Sequence, residues 1–304
     1  MNFQQLRSLR ETVRRGLNLT SAAEALHTSQ PALSKQIREL EDELGVKLFV
    51  RHGKKFTQLT EAGQRIVGIA ERVLAEAENL RRAGSEYAAG ETGTLSIAAT
   101  HTQARYALPA ILARFRGEYP KMRLRLHQGN PRQVALMVEH GEATFGLATE
   151  ALDLHPSLRT RPVYTWRHCL VVPHGHALAA HGLRGLAGLA ELPLITYTPE
   201  FAGRRNVDRA FAAEGLTPDI VLEAIDSDVI KTYVGLGFGV GLIAEIAFDA
   251  ERDRDLVKVD LGGLLPVNVA KLAIRHDAML RGFEQRFVEV ATGRAAPGDG
   301  SGPP

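Results

Sequence analysis

The chain has 304 residues, 44% of them hydrophobic, enough to bury a substantial core across two or three domains. No stretch approaches the roughly 18 apolar residues of a membrane-spanning helix, and MNFQQLRSLRETVRR lacks the apolar run of an export signal, so the expected compartment is the cytoplasm, with no membrane partner. Cys169 is the single cysteine, which excludes an intramolecular disulfide and any site built on several thiolates, and the net charge of +2 conceals an uneven split: +4 through Thr60 and −2 beyond it.

In chain order, Phe3, Leu6, Leu9 and Val13 recur at helical spacing. Thr20-Ser21 offers an N-cap for AAEALH, with Glu24 as the capping-box partner of Ser21. After the turn TSQ, Pro31 takes a first-turn position, and Leu33, Ile37, Leu40 and Leu44 line one face of a helix that Gly45 stops. KLFVRHGKKFTQLT then reads as two short strands around a basic hairpin tip at His52-Gly53. Ala22, Ala23, Ala25 and Leu26 are small or apolar enough to let two helices cross closely, so the pattern fits a helix-turn-helix with a wing. Such helix pairs also serve as plain structural elements, and a solvated basic face is the simpler reading of the charge; a polyanion partner is the functional one.

From Glu61 to about Glu86 the pattern is one long helix, with Ile66, Ile69, Val73, Ala77 and Leu80 forming a narrow stripe at steps of three and four. That stripe needs cover, either from its own domain or from the same helix of a second subunit, and its position between two apparent domains favours the second subunit. Beyond Gly93 strand-like runs (TLSIAAT, RLRLHQ, TFGLAT, HCLVVP, PLITYT, DIVLEA, VGLIAEIAF, NVAKLAIRH) alternate with helical ones, which predicts an α/β protein. The tail GRAAPGDGSGPP, 294–304 in its greater part, has the composition of a disordered segment.

In LSIAATHTQARYALPAIL a strand gives way at once to a helix, with Thr100, His101, Thr102 and Gln103 at the junction. The first N–H groups of a helix have no intrahelical partners and carry the positive end of its dipole, so a small anion is at home there. Thr100, Thr102 and Gln103 add neutral donors, suited to an anion that must be held and released. A structural reading, in which Thr102 only caps the helix and Thr100 ends the strand, explains one threonine and not the group.

TSQPALSKQIRELEDELGVKLFVRHGKKFTQLTEAG closely resembles the winged helix-turn-helix of the LysR-type transcription regulators, and THTQARYALP, ATEAL, LITYTPEFAGR and DSDVIKTYVGLGFGVGLIA resemble the CysB branch of that family, whose members control sulfur assimilation. The resemblance covers nearly the whole chain. It implies an all-α winged helix-turn-helix over 1–60, a linker and dimerisation helix over 61–90, and an α/β effector domain over 91–293 with two subdomains, like the periplasmic binding proteins. Subdomain I is expected over about 91–162 and 268–293, subdomain II over about 163–267, with the hinge near Arg161 to Val163 and Leu265 to Asn268.

The resemblance also implies roles. Ser29, Gln30, Ala32, Ser34 and Lys35 would enter a major groove of double-stranded DNA, and Arg38, Arg51, Lys54 and Lys55 would bind phosphates. Thr100, Thr102, Gln103, Thr149, Trp166 and the loop at Ala202-Gly203 would bind a small anionic effector, either sulfate or thiosulfate or the carboxylate of an O- or N-acetylserine. The family's pattern has a hydroxyl residue where this chain has Ala202, so one side-chain donor is missing. For Trp166 a core aromatic is an equal reading. A homodimer or homotetramer, RNA polymerase as a partner and no cofactor complete the expectation.

Four other readings weigh less. Gly239 to Ala244 fits G-x-G-x-x-A, but a dinucleotide fingerprint needs strand, glycines and then helix, and here the helix comes first. His168, Cys169, His174, His176 and His181 match no compact metal pattern, and no G-x-S-x-G, P-loop or H-E-x-x-H is present, so neither a metal site nor an enzyme is expected. A two-lobed solute-binding or carrier protein remains the rival, opposed by the basic winged module.

Overall fold

The computed structural model describes residues 1–53, 55–89, 93–149 and 151–293; Lys54 and the 294–304 tail lie outside the described residues. The chain divides into two compact units, one of residues 1–88 with 277–279, the other of the remainder.

The first unit contains α1 (Phe3–Arg14), α2 (Leu19–Ala25), α3 (Gln30–Leu44), the hairpin β1 (Phe49–His52) and β2 (Lys55–Leu59), and α4 (Glu61–Ala89). The cap of α2 differs from the Ser21 expected: Asn18 Oδ1 accepts from Thr20 N at 3.0 Å and Ser21 N at 3.1 Å. Burial explains the shift, because Leu19 enters the core and the helix must start early enough to point it there. Ser29 caps α3, Pro31 sits in its first turn, and Gly45 ends it at φ 68°, a left-handed conformation that glycine adopts without a Cβ penalty. Leu9, Leu33, Ile37, Leu40, Leu48 and Phe49 are buried together. Val67, Ala70 and Leu74 of α4 join that core, whereas Ile69, Val73 and Leu80 on its other side are exposed, Leu80 by 76%.

In the second unit the elements are β3 (Thr94–Ala99), α5 (Leu108–Glu118), β4 (Arg123–Gln128), α6 (Pro131–Glu139), β5 (Phe145–Thr149), β6 (Leu158–Trp166), β7 (His168–Pro173), α7 (Ala177–His181), α8 (Gly185–Ala190), β8 (Leu194–Tyr197), α9 (Ala202–Ala213), β9 (Ile220–Ala224), α10 (Ser227–Gly235), β10 (Val240–Ala244), β11 (Leu256–Val259), β12 (Asn268–Arg275) and α11 (Gly282–Thr292). They build two five-stranded sheets, ordered β4-β3-β5-β12-β6 in lobe I and β11-β7-β10-β8-β9 in lobe II. In each, three neighbouring strands pair in parallel and a single strand, β12 or β7, runs antiparallel between them and the edge strand β6 or β11.

The strand β6 was not legible, and it corrects the expected hinge. It stays paired with β12 through Trp166↔Asn268, so the chain crosses between lobes at Arg167 and not at 161–163. Pro162 hid the strand; it is tolerated because β6 is the edge of its sheet and a bulge lies beside Pro162. The return crossing lies between β11 and Asn268. The glycine run after α10 is a packing device: a Cβ on Gly239 would lie 2.2 Å from Pro193 O, and one on Gly241 2.7 Å from Val171 and Val234. Among the described residues no helix is long and apolar enough to cross a membrane, and no metal-binding cluster occurs.

Candidate functional site: a winged helix module and a two-lobed cleft

On α3 the buried positions Leu33, Ile37 and Leu40 leave Lys35 and Arg38 exposed on the other side and Gln30 exposed at the helix start, with Ala32 and Ser34 half-buried. The Ser29 hydroxyl accepts from Ala32 N at 3.3 Å and is therefore partly engaged in capping. Lys35 stays open, loosely paired with Glu39 at 3.7 Å. In the wing Lys55 is exposed, and Lys54 lies outside the described residues.

Arg51, expected to bind phosphate, has a structural task that sequence reasoning missed. Its Nη2 donates to the buried Glu41 carboxylate, and its guanidinium lies 5.0 Å over the Phe56 ring, which stacks on Phe49 at 4.3 Å. Glu41 also accepts from Leu48 N at 2.9 Å and Phe49 N at 3.3 Å. One carboxylate of α3 thus holds the first wing strand, and a buried charge with these partners is costly to disturb.

In the second unit a small cavity of about 30 Å³ lies between the lobes. Lobe I contributes Thr100, Thr102, Gln103, Pro131, Thr149 and Trp166; lobe II contributes Tyr197, Phe201, Gly203 and Ala244. Thr149, Tyr197 and Ala244 end β5, β8 and β10, and Thr100 directly follows β3. All four of these strands lie in the parallel parts of the sheets, and their carboxyl ends open on a crevice where ligands of open α/β folds sit.

Helix starts meet the same cavity. The helix after β3 begins at His101, passes through a π-turn (Gln103–Ala107) and continues as α5. Its first intrahelical bond is Ala104 N to Thr100 O at 2.9 Å, so the N–H groups of His101, Thr102 and Gln103 precede the ladder. At α9 the N-cap position is Phe201, with no side-chain acceptor. By contrast α6 and α10 carry their own caps, Asn130 and Asp226. Two helix starts without side-chain caps, one from each lobe, therefore border one cavity.

The side chains are held in place. Tyr164 OH donates to Gln103 Oε1, which fixes the amide with its NH₂ as the remaining donor. Trp166 Nε1 donates to Thr149 Oγ1 at 3.1 Å. Thr102 Oγ1 lies 3.3 Å from Ser227 Oγ, which lies 2.6 Å from Tyr197 OH, and that hydroxyl accepts from Ala244 N at 2.9 Å. Burial pushes the Tyr164 and Tyr197 phenols up to about 12, so both are neutral donors at physiological pH. Arg204, next to Gly203, is engaged by Asp208, Glu223 and the Tyr197 carbonyl. The charge the cavity offers is therefore that of backbone and hydroxyl dipoles.

Gly203 is required by contact: a Cβ there would stand 2.9 Å from Trp166 Cη2 and 3.1 Å from His168 Nε2. Ala202 is the first residue of α9. Behind this loop Asn206 Nδ2 donates to Asn268 Oδ1 at 2.7 Å, and Asn268 Nδ2 faces His168 Nδ1 at 3.4 Å, linking α9 to both crossings between the lobes. Burial lowers the His168 pKa to about 4, so the ring is neutral. The resemblance pointed to the lobe I residues and the 202–203 loop, but not to Tyr197, Phe201, Ser227 or Ala244. Tyr197 and Ala244 read as ordinary strand residues, and only the closing of one lobe on the other gives them a role.

A winged helix-turn-helix with an open recognition helix, followed by a two-lobed ligand cleft, defines a ligand-responsive DNA-binding regulator. Residues 3–64 match the bacterial regulatory helix-turn-helix protein, lysR family, and residues 88–296 match the LysR substrate binding domain. The chain belongs to the LysR family of transcriptional regulators. It is 52% identical to the regulator CysB and 49% identical to SsuR, both of Burkholderia cenocepacia, each over 95% of this chain and 93% and 94% of theirs. With cbl of Escherichia coli the identity is 45%, over 95% of this chain and 92% of the relative. The cofactor-binding domain of the Cbl regulator superposes with a TM-score of 0.65 at 42% identity, over 67% of this chain and 90% of that one. Full-length CbnR in complex with its target DNA shares the fold, with a TM-score of 0.59 at 23% identity, over 97% of this chain and 100% of that one. These relatives are regulators and not enzymes, and the match over 3–64 disfavours the carrier reading.

Proposed function

We propose that this regulator controls genes of sulfur assimilation and cysteine biosynthesis, and that it does so by sensing a small oxyanion in the interlobe cleft. The observation that carries the reading is the convergence of Thr100, Thr102, Gln103 and Thr149 with two uncapped helix starts on one cavity. A compact tetrahedral anion such as sulfate matches a cavity of about 30 Å³, which is roughly twice the space one water needs; an acetylated serine requires the lobes to part further.

On this reading Gln30, Ser34 and Lys35 read base edges, and Arg38 and Lys55 neutralise phosphates. The exposed stripe of Ile69, Val73 and Leu80 pairs with its copy in a dimer, which aligns two winged modules on a pseudo-palindromic site. Pairing of dimers into a tetramer and engagement of RNA polymerase complete the proposal. The anion acts by favouring one angle between the lobes, and it shifts the DNA-bound arrangement only to the extent that it binds that angle better.

Isothermal titration of the full chain with sulfate, thiosulfate and O- and N-acetylserine tests the sensing step. Thr102→Ala should weaken binding of the preferred anion about tenfold, from the loss of one donor near a charged ligand. Equal affinity of wild type and variant would discard the site.

A further inference from the structure

Arg105 and Tyr106 belong to the π-turn that carries Gln103, yet neither lines the cavity; both reach the opposite lobe. Tyr106 OH donates to Asp228 Oδ1 at 2.6 Å, and Arg105 Nε stands 2.6 Å from Asp228 Oδ2. Lys231, one turn further along α10, donates to Tyr106 OH at 3.2 Å. Asp228 directly follows Ser227, whose hydroxyl faces Thr102. A ligand that moves Thr102 and Gln103 therefore moves the residues gripping lobe II, and the turn's wide i+5 bond from Leu108 N to Gln103 O marks where the helix departs from regular geometry.

The grip is built to open without leaving a buried charge unmatched. Lys231 is 7% exposed, but within lobe II it keeps both Asp253 oxygens at 2.9 Å and Ala247 O at 2.8 Å when Tyr106 leaves. The Asp228 side chain is 30% exposed, so water can replace the tyrosine hydroxyl. A contact whose two halves are each satisfied when parted suits a two-state element.

We propose that Tyr106 and Asp228 are positioning residues of the effector site: their hydrogen bond clasps the lobes together and sets the fraction of protein that presents the closed cavity before a ligand arrives. The proposal rests on the anion-site reading above. Apparent affinity scales with the fraction of competent conformer, so loosening the clasp weakens binding without touching any ligand contact.

The test uses the full-length chain, sodium sulfate and Trp166, the single tryptophan, which lines the cavity and reports closure through its fluorescence. Tyr106→Phe keeps the ring packing and removes only the hydroxyl, the donor to Asp228 and an acceptor for Lys231, which retains Asp253 and Ala247. Its expected result is about tenfold weaker sulfate binding, a red-shifted ligand-free emission, and return to the wild-type spectrum at saturating sulfate. That return separates a shifted equilibrium from structural damage; a spectrum that stays red-shifted at saturation overturns the proposal. So does affinity within twofold of wild type while Thr102→Ala still loses binding. If wild type does not bind sulfate, the anion-site reading for sulfate falls instead. The ligand-free spectra then judge the clasp alone: an unshifted Tyr106→Phe overturns it, and a red shift supports it.

Discussion

The Trp166 indole nitrogen donates to the Thr149 hydroxyl across 3.1 Å, joining the ends of two strands that flank β12. The bond occupies one lone pair of Thr149 Oγ1 and leaves its hydrogen to donate, so the indole aims the hydroxyl as well as covering it. Thr149→Val should orphan a buried N–H at a cost of about 1–3 kcal/mol and remove one anion donor. Chemical denaturation and sulfate titration on the same variant should both show the loss. A variant as stable as wild type would mean the indole finds another acceptor.

Glu41 and Arg51 separate folding from DNA affinity. Glu41→Ala leaves Leu48 N, Phe49 N and the Arg51 guanidinium without their acceptor, and it should destabilise the first unit by about 3–5 kcal/mol. Arg51→Ala should also lower stability, whereas Arg38→Ala, exposed on α3, should leave the melting temperature unchanged and reduce the salt slope of DNA binding by about one. Gel shifts at several salt concentrations, paired with thermal melts, distinguish the two arginines. An Arg51→Ala protein with wild-type stability and a reduced slope would assign Arg51 to the phosphate backbone after all.

His168 predicts an acid limit to stability. Burial holds its folded-state pKa near 4, below the ordinary value of 6.5, so the unfolded chain binds the extra proton between those values. The stabilising contribution of the neutral ring is complete above pH 6.5 and is lost as pH falls toward 4, at about 1.4 kcal/mol per unit. Replacing the ring by His168→Gln should flatten that part of the stability profile. Identical slopes for the two proteins between pH 6.5 and 4 would show that His168 is not the group responsible.

Restoring the missing hydroxyl at the start of α9 should strengthen the anion site. Ala202→Thr offers one further donor beside the uncapped helix start, worth about 1 kcal/mol or fivefold in sulfate affinity. Titration that shows no gain would place the anion nearer the lobe I threonines than the α9 loop.

The stripe on α4 yields an oligomer test. Leu80 is exposed in the single chain, so Leu80→Glu should leave the fold intact while placing a charge in the proposed helix pair. Sedimentation velocity should then show monomer at concentrations where wild type is dimeric. A dimer of unchanged strength would move the interface elsewhere.

What could be read in advance follows the range of the interactions. Gly45, Pro31, the wing and the Thr100–Gln103 junction depend on residues close in sequence, and each left a local trace. The α2 cap lies three residues before the expected Ser21 because Asn18 and Ser21 are both competent caps, and only the burial of Leu19 decides between them. The strand β6 is hidden in the sequence because Arg159, Arg161 and Pro162 disguise an edge strand as a loop. Apart from Gly203, lobe II's share of the cavity left no trace in the sequence, since Tyr197 hydrogen-bonds Ser227 and Ala244, 30 and 47 residues away.

The helix starts at His101 and α9 face the same space from opposite lobes, and each carries a partial positive charge. Like partial charges at two helix starts that border one cavity repel each other. On the proposed reading, an oxyanion seated there would turn that repulsion into attraction on both sides at once, so the atoms proposed to hold it would also supply the force that draws the lobes together.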